Sequence, residues 1–339
     1  LRVHRYQLPW SSTFARKHSG EGALLAVTCN DSTGYADLHP WTSIGDLSVT
    51  EQLNLLLAGK PTLQTQIALD AAKTDALHRR KGTPSVRYVP KITNHTLFLE
   101  TRLAAELVRS RIPQSVNGSY SGLAKWKINP ESASTSANFL NEITQTFPNL
   151  TWRLDANALF DFAQLVRFWN SLAPSTQRLI EFIEDPCPYD RTDWNRLETE
   201  GLRLAIDFEI GRWQDSSVKT SPTDSGKTVF VFKPAIQAME FWRLWLQDHP
   251  HSFLLTSYLD HPVGMLTALA TAESMAQEFP KWLLPCGLNL SMTQTDLETF
   301  WPNLYLNMNS GNTWTGAAEP GIGFTNHLER LSWENLGAI

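Results

Sequence analysis

The chain has 339 residues, 42% of them hydrophobic, a formal net charge of −5 and three cysteines. That length suits one large barrel or two domains rather than a single small core. The mild charge, without a dense basic stripe, gives no reason to expect a nucleic-acid partner.

The longest apolar runs, such as Val229–Phe232 and Phe253–Leu255, are strand-sized, so no transmembrane helix and no membrane partner is expected. Cys29, Cys187 and Cys286 are far apart and form no CxxC pair, which points away from a disulfide framework or a zinc knuckle. The opening Leu1-Arg2-Val3-His4 shows no charged-then-apolar leader, and a reducing cytoplasm is the simplest compartment to expect.

Residues 1–40 hold three strand-like runs, Val3–Leu8, Ala23–Cys29 and Gly34–Leu38, with the Ser/Gly-containing segment Ser11–Gly22 between the first two. That segment reads as a loop able to close over a site. Helical patterns follow at Val49–Leu57 and from Leu63 to about Arg80, stopping at a plausible C-cap, Gly82. Strands and helices in separate runs predict a small α+β domain.

From about Ser85 short apolar runs alternate with amphipathic stretches. Strands are expected at Leu123–Ile128, Thr151–Leu154, Ile180–Ile183, Arg203–Ile206, Phe230–Phe232 and Phe253–Leu255. Helices such as Ala137–Thr146, Phe160–Asn170, Ile236–Gln247 and Met265–Gln277 lie between them. A strand-to-strand spacing of roughly 20 to 30 residues fits one βα unit per repeat and so a (β/α) barrel. Doubly wound sheets share this rhythm, but neither a Gly-x-Gly-x-x-Gly nor a phosphate-loop motif is present.

Each expected strand ends in polar residues: Lys125 and Lys127, then Arg153, Asp155 and Asn157, then Glu184, Asp207 and Lys233. In barrel enzymes the groups at the C-terminal strand ends face one common space. Lys125 and Lys127, two apart, would share a strand face. Alone, such a pair reads as an exposed edge strand. With the downstream carboxylates it reads as a site in which repulsion and desolvation lower a lysine pKa towards neutrality. Asp155, Glu184 and Asp207 form an all-oxygen set for a hard cation such as magnesium, with helix capping as the competing role for each carboxylate taken singly. In an eight-stranded barrel Lys127 and Lys233 would flank a ligand from opposite walls, an arrangement suited to removing a proton beside a carboxylate.

These residues resemble the motifs of the enolase superfamily, specifically its o-succinylbenzoate synthase branch. That superfamily's lysine-plus-magnesium site is a known pattern of acid–base tuning. Lys125-Trp126-Lys127, Arg153 to Asn157, Glu184-Asp185-Pro186-Cys187 and Lys233-Pro234 each match a family motif. Gly34 to Pro40 resembles a cap-domain turn, and Pro320 to Phe324 a tail returning to the cap.

The resemblance implies an α/β fold, a modified (β/α)7β TIM-type barrel over about 91–304. It also implies an α+β capping domain over 1–90, completed by about 305–339. It implies a magnesium-dependent lyase, with manganese as a substitute ion, acting on a small-molecule carboxylate in menaquinone biosynthesis. Lys127, Lys233 and Lys125 would be catalytic, and Asp155, Glu184 and Asp207 would hold the metal. Arg153, Asn157 and Ser257 would contact substrate. Asp207-Phe208-Glu209 departs from the family pattern, leaving Glu209 as a rival third ligand. His261 reads as a surface turn residue, and Cys187 as a packed thiol with no neighbouring histidine to activate it.

Two other readings compete. An N-acylamino acid racemase or dipeptide epimerase would use both lysines as bases. Cys286 to Gln294, however, offers no Asp-x-Asp to hold a dipeptide's ammonium group. A barrel that has lost activity and serves as a scaffold would have no reason to keep both lysines and all three carboxylates.

Overall fold

The computed structural model describes residues 1–8, 20–86, 92–98, 103–112, 120–211, 222–288, 308–309, 313–314 and 319–337. Most of the expected closing loop, residues 11–19, lies outside them. Among the described residues no helix is long and apolar enough to cross a membrane.

Three strands, β1 (Arg2–Gln7), β2 (Glu21–Cys29) and β3 (Ser32–Leu38), form an antiparallel meander. Side chains alternate across each strand, so the sheet sorts its apolar residues into two sets. Val3, Leu25, Val27 and Leu38 pack on Leu53, Leu56, Ala68 and Ala72 of helices α1 (Val49–Leu57) and α2 (Leu63–Arg80). Tyr6, Leu24, Ala26 and Tyr35, of opposite parity, join the core shared with the barrel. A capping box starts α1: Ser48 Oγ accepts from Glu51 N at 3.3 Å, and the Glu51 carboxylate accepts from Ser48 N at 2.9 Å. Gly34 lets α2 lie directly on β3, since a Cβ there would stand 2.0 Å from Ala72 O.

The barrel sheet is parallel throughout, in the order β4 (Thr96–Phe98), β5 (Ser121–Lys127), β6 (Asn149–Asp155), β7 (Ile180–Glu184), β8 (Leu204–Ile206), β9 (Val229–Phe232) and β10 (Phe253–Leu255). Helices α3 (Ala105–Arg111), α4 (Ala133–Thr146), α5 (Phe162–Ser171), α6 (Pro174–Gln177), α7 (Arg191–Thr199), α8 (Met239–Asp248) and α9 (Pro262–Glu278) fall between or after the strands. Residues 283–287 close the circle through parallel bridges, Phe253 to Leu283 and Thr256 to Gly287 on one side and Asn94 to Cys286 on the other.

Alternation again makes two cores. Trp126, Leu154, Ile183, Phe230 and Phe232 belong to the large cluster shared with the helices. Phe182, Ala205, Val229, Val231 and Leu254 form a separate small one. These last residues have the parity of Glu184, Asp207, Lys233 and Thr256, which places them inside the barrel, below its C-terminal end.

A ribbon, β11 (Met308–Asn309) and β12 (Thr313–Trp314), precedes helix α10 (Thr325–Glu329) and strand β13 (Glu334–Asn335), which pairs with β1. Asp75 on α2 accepts from Ile322 N at 2.7 Å, while Arg79 donates to Gly323 O and Thr325 Oγ1. The tail thus completes the cap, as the fold expectation required.

Neither β4 nor the closing strand is legible in the sequence. The first is three residues long, and the second pairs only through isolated bridges, so neither leaves a period-2 run of useful length. The expected helix from Ile236 begins instead at Met239. Before it, Ile236 N and Gln237 N turn back onto Lys233 O, and Gln237 Oε1 accepts from Lys233 N at 2.9 Å.

Candidate active site

A cavity of about 250 Å³ opens at the C-terminal end of the barrel. Lys125, Lys127, Asp155, Asn157, Glu184, Asp207, Lys233 and Ser257 all line it, as do Trp41 and Ile44 from the cap. Trp41 Nε1 donates to Tyr258 O at 3.0 Å, and Tyr258 Oη donates to Asp46 at 3.2 Å, which ties this cap wall to the barrel.

Ladder register sets the layer. Lys127 lies opposite Asp155, and Asp155 opposite Glu184, so the last residues of β5, β6 and β7 stand side by side. Lys125 Nζ lies 2.6 Å from Glu184 Oε1 and 3.1 Å from Asp155 Oδ2, and Lys233 donates to Asp207 Oδ2. Lys127, with a half-exposed side chain, donates to Asn157 Oδ1 at 3.3 Å. Lys127 ends the second strand of the sheet and Lys233 follows the sixth, and both line the cavity.

Burial would push the Lys125 and Lys233 ammonium groups down in pKa. The carboxylates outweigh it, Asp155 and Glu184 foremost for Lys125 and Asp207 for Lys233, and both are raised. The expectation that crowding lowers a lysine pKa therefore fails for these two, because each nitrogen sits nearer to a carboxylate than to another cation. Burial likewise works to raise Asp155, but Lys125, with Lys127 and Lys233, holds it below the usual range. Glu184 is pushed up to about 7, by burial first and then by Asp155 and Asp207, with Lys125 opposing.

Among the described residues no three His, Cys, Asp or Glu side chains already stand together as a metal site. In this arrangement Lys125 and Lys233 occupy the carboxylates. The donor set nevertheless suits a hard cation. Glu184 Oε2 and Asp207 Oδ1 are buried without a hydrogen-bond partner, and the mutual repulsion that raises Glu184 is relieved by a positive ion among the three. Asp207 lines the cavity and Glu209 does not.

Arg153 stands elsewhere than expected. It shares the parity of Asp155, but two residues back along β6 it is wholly buried and does not line the cavity. Its Nε donates to Glu181 Oε2 at 2.7 Å, its Nη1 to Pro285 O at 2.6 Å and to His95 Nδ1 at 3.1 Å, and it stacks 4.8 Å from the Phe182 ring. Glu181 reaches it through an irregularity in β7, where the step Ile180 to Phe182 spans only Trp152 to Arg153 of β6.

His261 is likewise no surface residue. It is 2% exposed, packs 4.7 Å from the Tyr6 ring, and caps α9 by accepting from Val263 N at Nδ1, 3.2 Å away. Cys187 is buried, and burial pushes its thiol up to about 11, consistent with a packed role.

Asp185 and His95 are among the site residues not expected from the sequence. Asp185, at φ 41°, accepts from Asp207 N and Phe208 N at 3.0 Å each, and so fixes the strand end that carries Asp207. Its acidic neighbour Glu184 was a signal for it. His95 lines the cavity, and no motif marked it.

The chain matches a known family description, O-succinylbenzoate synthase, N-terminal domain, over residues 1–78. The o-succinylbenzoate synthase of Bdellovibrio bacteriovorus is 31% identical over 323 residues, 93% of this chain and 91% of its own. Its counterpart in Vibrio cholerae is 21% identical over 89% and 92% of the two chains. Among solved structures, an o-succinylbenzoate synthase from Thermosynechococcus elongatus complexed with magnesium has a TM-score of 0.58 at 20% identity, covering 83% and 91%. A muconate lactonizing enzyme from Pseudomonas putida has 0.66 at 15%, covering 97% and 98%, and at such identities the likeness speaks for the fold. Near-complete coverage at 31% identity, on a capped barrel whose strand ends carry these lysines and carboxylates, places the chain in the o-succinylbenzoate synthase family of the enolase superfamily.

Proposed function

We propose that the chain is a magnesium-dependent o-succinylbenzoate synthase, a lyase that removes water from 2-succinyl-6-hydroxy-2,4-cyclohexadiene-1-carboxylate in menaquinone biosynthesis. The observation that supports this reading most is that Lys127 and Lys233, at the ends of the second and sixth strands, line one cavity with three carboxylates on the strands between.

Lys127 takes the proton beside the substrate carboxylate. The Lys233 ammonium faces the resulting enediolate and offsets its charge. The proton then passes from Lys127 to the departing hydroxyl on the same face, so that one water leaves and the ring becomes aromatic. Asp155, Glu184 and Asp207 would hold magnesium, which when bound supplies the positive charge that makes so weak an acid ionisable. Lys125, anchored between Asp155 and Glu184, keeps those carboxylates in place. Asn157 holds Lys127, and Ser257, on the cavity wall, would contact the substrate. The sole partner in this reading is a small-molecule carboxylate, with no nucleic acid or membrane, and a reducing cytoplasm suits three free cysteines.

The test is aromatisation of the cyclohexadiene substrate with and without a chelator, by the parent, Lys127→Ala and Lys233→Arg. Lys127→Ala should be inactive, while Lys233→Arg, which keeps the charge but has no usable base, should retain some dehydration. Efficient racemisation of N-acylamino acids without aromatisation by the parent would replace this reading with the two-base one.

A further inference from the structure

The carboxylates and lysines occupy β5 to β9, which leaves the wall formed by β4, β10 and the closing strand. His95 is held there from both ends. Its backbone N donates to Cys286 O at 2.9 Å, and its ring, 2% exposed, receives Arg153 Nη1 on Nδ1 at 3.1 Å. A guanidinium can only donate, so Nδ1 accepts and the hydrogen of the neutral ring sits on Nε2. Burial, followed by the charges of Arg153 and Lys125, pushes the ring's pKa well down and keeps it neutral.

Gly287 keeps the space beside this nitrogen open, since a Cβ there would stand 3.0 Å from Nε2 and 2.6 Å from Cε1. The same point is 2.8 Å from Thr256 Cγ2, so Thr256 borders the same gap. Thr256 is 7% exposed, lines the cavity, and its Oγ1 is buried with no hydrogen-bond partner. A buried hydroxyl left unpaired keeps its desolvation cost, which a ligand oxygen would offset.

The wall thus presents two neutral donors, with the Arg153 guanidinium behind one of them and no carboxylate among them. We propose that His95 Nε2 and Thr256 Oγ1 form a second anion-binding patch, which holds the carboxylate of the substrate's succinyl arm while the reacting carboxylate lies at the opposite wall. This rests on the dehydratase reading and adds to it the residues that select a dicarboxylate.

Calorimetry on the full chain in saturating magnesium tests it, with two probes: the product 2-succinylbenzoate, and 2-butyrylbenzoate, which keeps the ketone and lacks the arm's carboxylate. His95→Asn still offers Arg153 an acceptor but withdraws the donor from the cavity. It should raise the Kd of 2-succinylbenzoate roughly ten- to a hundredfold, the range for a lost hydrogen bond to a charged group, and leave 2-butyrylbenzoate unchanged. In turnover KM should rise by a similar factor while kcat stays near the parent's, a split that a general loss of structure does not give. Thr256→Val removes only an unpaired hydroxyl, so its thermal midpoint should hold or rise while the same probe weakens. It decides the question should His95→Asn fold poorly. Equal loss for both probes, or no loss in Thr256→Val and a folded His95→Asn, overturns the patch and leaves the dehydratase reading intact. A parent that neither aromatises the substrate nor binds the product overturns both.

Discussion

Asp37 of the cap and Asp260 of the barrel meet in the joint between the two units, and replacing one carboxylate there should change how stability depends on pH. Their Oδ2 atoms stand 2.8 and 2.5 Å from the point where a Cβ on Gly264 would lie, so they are within the sum of those distances of each other. Asp37 accepts from Tyr6 Oη at 2.6 Å and from His261 N at 3.0 Å, while Asp260 is only 1% exposed. Burial pushes Asp260 up to about 7, and Asp37 is raised well above its usual value by burial and then by Asp260.

A carboxyl raised in the folded state stabilises fully below its unfolded value, about 3.9, and that contribution is lost as pH rises through 7. At 1.36 kcal/mol per unit the whole loss is about 4 kcal/mol, of which about 2 to 3 kcal/mol falls between pH 5 and pH 8. Asp260→Asn stays neutral and can donate to Asp37. The buried neutral histidines His39, which burial pushes down to about 3, and His261 work in the opposite sense but are common to both proteins. Urea unfolding of parent and variant across this range should therefore show the parent losing about 2 to 3 kcal/mol more than the variant, with the variant ahead at pH 8. Stability curves that run parallel, within about 0.5 kcal/mol, would refute the assignment of a shared buried charge to this joint.

Magnesium should raise the thermal midpoint of the parent by ligand linkage, and Asp155→Asn, Glu184→Gln and Asp207→Asn should each shrink that rise and the activity together. A normal rise in Asp207→Asn beside none in Glu209→Gln would transfer the third ligand to Glu209. Asp185→Ala leaves Asp207 N and Phe208 N without their acceptor. It should weaken magnesium binding about 10- to 100-fold, the usual effect of losing a group that orients a ligand. Parent-like affinity in that variant would reduce Asp185 to a turn former.

A strand period of two determines which side chains share a face, so the pairing of Lys125 with Lys127 and the row Asp155, Glu184, Asp207 and Lys233 are legible in the sequence alone. Parity carries no depth, however. Arg153 and Asp155 read alike, yet one is sealed beneath the cavity against Glu181 and Phe182 and the other lines it. Depth follows from how far each strand end stands above the barrel core, which packing of the whole circle decides. His95 needs more still: Arg153, 58 positions away, fixes its tautomer, and Gly287 clears the space beside it. His261 reads as a turn residue in the sequence, and only the docking of the cap lays Tyr6 over it. Local period and strand-end chemistry thus belong to the sequence itself. Partners that meet only when a barrel closes or a cap docks do not, because no local pattern encodes contacts between segments so far apart along the chain.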